Sequence, residues 1–121
     1  GDPEQGLATL DQALARVEEM GERVWETELH RIKGELLLVK GNERDAEASL
    51  RKAVEVARQQ KARSWELRAA TSLARLWQAQ GRVEEARQVL GDIYGWFTEG
   101  FETQDLLEAK ALLDALTQGD N

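Results

Sequence analysis

The chain has 121 residues, of which 41% are hydrophobic and 32% charged, a balance that suits one domain with a solvated helical surface. Its 16 basic and 23 acidic residues give a formal net charge of −7, which argues against generic nucleic-acid or anionic-membrane binding. Cysteine is absent, so disulfide and thiol chemistry are excluded, and the longest aliphatic run is four residues against the roughly 20 a membrane helix needs, so a reducing cytoplasm is the default expectation.

Pro3 suits the first turn of a helix. Leu7, Leu10, Ala13 and Val17 follow at helical spacing, predicting helix one up to Met20 and Gly21. Helix two is expected from about Val24 to Lys40, with Trp25, Leu29, Ile32, Leu36 and Val39 as its apolar face. His30 is the only histidine; without cysteine or a second histidine, no metal site is expected. Gly41 fits a helix C-cap and Asn42 the N-cap of helix three, with Asp45 in the first turn. Helix three is expected from about Glu43 to Gln60, with a stripe of Ala46, Leu50, Ala53 and Ala57 that lets a neighbour approach closely. Arg51, Lys52, Arg58 and Lys61 belong on its solvated side.

Helix four is expected from about Ala62 to Gln80 and carries Trp65, Leu67, Ala69, Leu73, Leu76 and Trp77. Trp25 and Trp65 occupy matching positions and read as wedges between helices, with ligand stacking as the alternative. Helix five, from about Val83 to Tyr94, runs into Tyr94, Trp96, Phe97 and Phe101. That aromatic group is either a cluster that closes the core or an exposed docking patch. Gly95 and Gly100 mark a break, and Thr103 fits the N-cap of helix six with Asp105 in its first turn. Leu106, Leu107, Ala109, Leu112, Leu113 and Leu116 then supply a broad apolar face for a capping helix.

A ladder of matches recurs every 40 residues: Gly1, Gly41 and Gly81; Gly6, Ala46 and Ala86; Leu10, Leu50 and Leu90; Trp25 and Trp65, each followed by Glu. Repeats of such a period signal stacked helix pairs, an all-α superhelical solenoid of about six helices. In order, Gly34, Leu37, Gly41, Ala46, Leu50 and Ala53, then Ala74, Trp77, Gly81, Ala86, Leu90 and Ile93, resemble the tetratricopeptide repeat. His30 and Ala70 stand where that family has an early large residue, and the proline that usually ends the second helix is missing. The resemblance implies a right-handed stack in four parts: residues 1–23 as the second helix of a truncated repeat, 24–61 and 62–102 as repeats, and 103–117 as a C-terminal cap. ELHRIKGELLL, LRAATSLARLW and above all YGWFTEGFETQDLLEAKALLDAL are similar to the C-terminal helical repeats of bacterial adenylate/guanylate cyclase–ATPase signalling proteins. On that resemblance the chain is a module of a longer bacterial signalling protein, whose ATPase or cyclase chemistry would lie in other segments.

The chain has no Gly-rich phosphate loop ending in Lys-Ser/Thr, no calcium loop and no recognisable nucleophile–base set, so neither catalysis nor a cofactor is expected of it. Charge is uneven: residues 1–40 carry 5 basic and 9 acidic groups, 41–81 carry 8 and 5, and 82–121 carry 3 and 9. The middle reads as random surface variation, as a basic saddle for an acidic partner, or as a surface for packing between copies. In repeats of the resembled type the first helices line the inner side. That implies a surface of Glu28, Arg31, Glu35, Leu38, Arg68, Thr71, Arg75 and Gln78, whose arginines suit bidentate contacts with peptide carboxylates. The expected role is therefore a protein–protein interaction or scaffold module, binding a protein segment or upstream domains of its own parent chain. The alternatives are an oligomerisation or spacer element, with a homodimer, and a small-molecule sensor using the groove beside Trp77.

Overall fold

The computed structural model describes residues 3–20, 26–97 and 103–118 and, within the first helix, the side chains of residues 3–12. The described residues are all-α, with helices α1 (Pro3–Met20), α2 (Glu26–Val39), α3 (Glu43–Gln60), α4 (Arg63–Ala79), α5 (Val83–Tyr94) and α6 (Gln104–Gln118) and no strand.

Local chemistry sets the turns. Gly41 takes φ +84° after α2; its N–H donates to the Leu38 carbonyl at 2.9 Å, and the Asn42 N–H donates to Leu37 at 2.9 Å. Gly81 does the same after α4, with φ +79° and bonds from Gly81 to Gln78 and from Arg82 to Trp77. The glycines carry this left-handed turn without Cβ strain, and the bonds satisfy carbonyls left open at the helix ends. Asn42 caps α3 as expected, its Oδ1 accepting from the Asp45 N–H at 3.2 Å. The third turn of this kind follows α3, and there Lys61 holds φ +57°. Its N–H reaches the Arg58 carbonyl and that of Ala62 reaches Ala57, so the same closure forms on a residue that carries a Cβ. Gly95 ends α5 in ordinary right-handed geometry at φ −65°, so the break there owes nothing to glycine's access to positive φ.

Each helix packs on the next in sequence, and in addition α2 packs on α4 and α4 on α6. The backbones of α1 and α3, and of α3 and α5, do not pack together. The even helices thus form one close layer and the odd helices a splayed one. Between the layers lies a continuous core of Leu50, Ala53, Leu67, Leu73, Ala74, Leu90, Ile93, Leu106, Ala109 and Leu116, each at most 3% exposed. The small-residue stripe works as its spacing implies: Ala46, Ala53 and Ala57 are fully buried. Two residues assigned to apolar faces are displaced from the core. Val39 lies at the last turn of α2 and is 71% exposed, and Leu107 points off the buried side of α6 at 50%. Leu36 rather than Val39 carries the C-terminal packing of α2, against Gly6 of α1.

Candidate functional site

At 100° per residue, α4 presents Arg68, Thr71, Ser72 and Arg75 on one side and Leu73 and Trp77 on nearly the opposite one. The polar side faces a cavity of about 280 Å³ between the even helices. Arg31 enters from α2, the four α4 residues line its floor, and Gln104, Asp105 and Glu108 close it from α6.

Glu28 organises the α2 end. Its Oε2 accepts from Arg31 Nε at 3.1 Å and its Oε1 from Arg31 Nη2 at 2.8 Å, a bidentate pair one helical turn long. Arg68 Nη1 reaches the same Oε1 at 3.0 Å, so one carboxylate joins α2 to α4. The hydrogen bonds it donates to Glu28 hold the Arg31 guanidinium even more firmly protonated than usual. At the α6 end the pairs are looser: Arg68 Nε lies 3.9 Å from Asp105 Oδ2, and Arg75 Nη2 lies 3.5 Å from Glu108 Oε2. Glu108 accepts from Gln104 Nε2 at 2.8 Å, and this bond, helped by Arg75 and Arg68, holds its carboxyl below the usual range. Thr71 spends its hydroxyl proton on the Leu67 carbonyl at 2.8 Å, which leaves its lone pairs toward the cavity as acceptors.

The structure therefore brings Arg31, Arg68, Thr71 and Arg75 together, with Glu28 as the tie between them. Glu35 and Leu38 sit half-buried on α2 outside the cavity, and Gln78 is exposed beyond it on α4. Sequence reasoning missed Ser72 and the α6 trio of Gln104, Asp105 and Glu108. The signal for the trio was the charge asymmetry: acidic groups of the last segment face basic groups of the middle one inside a single chain. The basic saddle is accordingly not a bare positive surface, because three arginines face Glu28, Asp105 and Glu108.

The aromatic group divides. Tyr94 and Phe97 are half-buried against the core, whereas Trp96 is 54% exposed. The Trp96 ring meets Phe97 edge-on at 5.2 Å, and the Arg63 guanidinium lies 5.4 Å from its centroid. Trp65 is half-buried; Trp25 and Phe101 lie outside the described residues. His30 packs with its Nε2 buried, 3.6 Å from Glu26 Oε1, and burial holds the imidazole below its ordinary range. Among the described residues no group of three or more His, Cys, Asp or Glu side chains is placed to hold a metal ion, and no helix is long and apolar enough to cross a membrane.

Comparisons of the chain with protein-family models, with curated proteins and with solved structures each return no match.

Proposed function

We propose that this chain is a non-catalytic protein-interaction module of tetratricopeptide-like helix pairs. On this reading the pairs repeat every 40 residues and wind into a right-handed superhelix whose even helices line the inner side. Two features support the architecture: the matching glycine turns at Gly41 and Gly81, and a close even layer opposed to a splayed odd one. A stack whose helices pack on one side and splay on the other must curve toward the packed side. On the resemblance of the YGWFTEGF segment to bacterial cyclase–ATPase signalling proteins, we read the module as part of such a parent chain.

The observation that carries the binding role is the convergence of Arg31, Arg68 and Arg75 on one polar cavity, with two of their pairings stretched to 3.5 and 3.9 Å. Those distances exceed a good charged hydrogen bond, and exposed pairs of this kind contribute little. Arg68 and Arg75 side chains are 42% and 53% exposed, so an incoming carboxylate can take their donors without dismantling the fold. The ligand class is an acidic peptide segment of a partner or of the parent chain. A labelled Asp/Glu-rich decapeptide, followed by fluorescence anisotropy at low and moderate salt, tests this. The expected result is saturable, salt-sensitive binding that Arg68→Gln/Arg75→Gln weakens at least about tenfold, a loss of about 1.4 kcal/mol. Equal binding by the double variant refutes the assignment.

A further inference from the structure

The opposite side of α4 carries a second surface. Because α3 and α5 do not pack on each other, a valley runs between them with Leu73 and Trp77 of α4 as its floor. Two hollows of about 250 and 290 Å³ share Arg58, Trp77 and Val89 and so form one continuous groove. The walls are helical stripes. Positions 51, 54, 55, 58 and 59 face it from α3, and 85, 88, 89 and 92 from α5. Each stripe covers two turns, or about 12 Å of helix axis. One end is closed: Arg82 Nη1 bridges to Glu47 Oε1 at 2.7 Å, and Gln80 Nε2 to Glu43 Oε1 at 3.0 Å. The other end lies at Arg58 and Asp92.

Trp77 is the unusual member. It is 6% exposed, yet its indole N–H has no acceptor among the described residues. Its ring lies within cation–π range of two guanidiniums, Arg82 at 4.9 Å and Arg51 at 5.8 Å from the centroid. A buried N–H with no acceptor is costly and uncommon in a finished core. The walls are also of unlike charge. The α3 wall carries Arg51 and Arg58 with Glu55 between them, and the α5 wall carries Glu85 and Asp92. Arg51, Arg58 and Glu85 also pair with Glu47, Glu66 and Arg82 respectively, whereas Asp92 makes no ion pair among the described residues.

We infer that the α3/α5 groove is a docking site for an amphipathic helix of a partner protein. Aliphatic anchors on that helix sit over half-buried Val89, above the buried Leu73, Val54 and Trp77, its acidic flank lies along α3 and its basic flank along α5. Ridges spaced i, i+3, i+4 and i+7 on both walls are what a third helix packs into, and the charge split fixes which way round it lies. The site is on the far side of α4 from the arginine cavity and is independent of it.

The test uses the full chain, ¹⁵N-labelled, and two synthetic 14-residue helical peptides, with leucines at i, i+4 and i+7. One carries glutamates along one flank and lysines along the other; the control carries glutamines along both. The expected result is that the first peptide shifts the Trp77 indole N–H signal and the Val54 and Val89 amides. The control should bind at least about fivefold more weakly. Asp92→Lys, a change at an exposed residue with no ion pair among the described residues, should weaken the first peptide by a similar factor and leave the control unchanged. Three results would each overturn the proposal: equal binding of the two peptides, shifts confined to the Arg31, Arg68 and Arg75 side, or no movement of the Trp77 signal at about 1 mM peptide.

Discussion

Gly34 sits where α2 comes closest to α3, and Gly34→Ala sets two effects of known size against each other. Alanine in a helix interior is favoured over glycine by about 1 kcal/mol. Against that, a Cβ at residue 34 would stand 2.7 Å from Leu50 Cγ, 2.8 Å from Leu50 Cδ2 and 3.3 Å from the Ala46 carbonyl oxygen. Leu50 is fully buried, and its Cγ is the branch point of the side chain rather than a mobile tip. Neither it nor the α3 backbone can yield without moving α2 outward. Overpacking of this kind costs about 1–3 kcal/mol, and with contact on both side chain and backbone the upper half of that range applies. The expected net is destabilisation of about 1–2 kcal/mol, read as a lower urea midpoint with unchanged slope and a Tm lowered by about 3–8 °C. The decisive arm is a double-mutant cycle. Leu50→Ala alone should cost about 2–5 kcal/mol, and in that background Gly34→Ala should become close to neutral or stabilising, because both Leu50 contacts are gone and only the milder 3.3 Å contact with the Ala46 carbonyl opposes the propensity gain. If Gly34→Ala stabilises the otherwise native chain, or costs the same in both backgrounds, the close approach does not govern this interface.

Two other glycines make a matched pair, since an added Cβ meets nothing within 4 Å at Gly81 or at Gly91. Gly81→Ala should still cost about 1–2 kcal/mol because its φ is +79°, whereas Gly91→Ala within α5 should gain about 0.5–1 kcal/mol; thermal melts that move the same way for both would contradict the backbone argument. Glu66 is 3% exposed and accepts from Arg58 Nε at 2.9 Å, with Arg63 Nη1 at 3.5 Å. Glu66→Gln, which turns one acceptor into a donor facing guanidinium groups, should cost about 1–3 kcal/mol in urea unfolding, and an unchanged midpoint would show the pair to be inert. His30 gives a pH dependence. Burial lowers its folded pKa below 6.5, against the opposing pull of Glu26 and with help from Lys52 and Lys33. Above 6.5 it is neutral in both states; as pH falls from there toward the depressed folded value, the unfolded chain takes up the proton first and stability drops. The urea midpoint should therefore be lower at about pH 5.5 than at about pH 7.5, and His30→Phe should shrink that difference; a slope untouched by the substitution would place its origin elsewhere.

What the sequence determined by itself is what depends on residues a few positions apart. The Gly41–Asn42 turn, the Ala46, Leu50, Ala53 and Ala57 stripe, and the extents of α3 and α5 follow from capping chemistry and helical spacing, which act within one or two turns. The all-α class follows from the same local signals. The tertiary structure decided the rest. It showed that Lys61 adopts the left-handed turn that glycine adopts elsewhere, because the closure by Lys61 and Ala62 onto α3 and the start of α4 impose it. It left Val39 in solvent, since a helix end can run past the neighbour that would cover it. Above all, it set Asp105 and Glu108 of α6 opposite Arg68 and Arg75 of α4. In the chain those groups are more than thirty residues apart, and only the packing of α6 on α4 converts an uneven charge profile into a polar cavity that the chain itself partly neutralises.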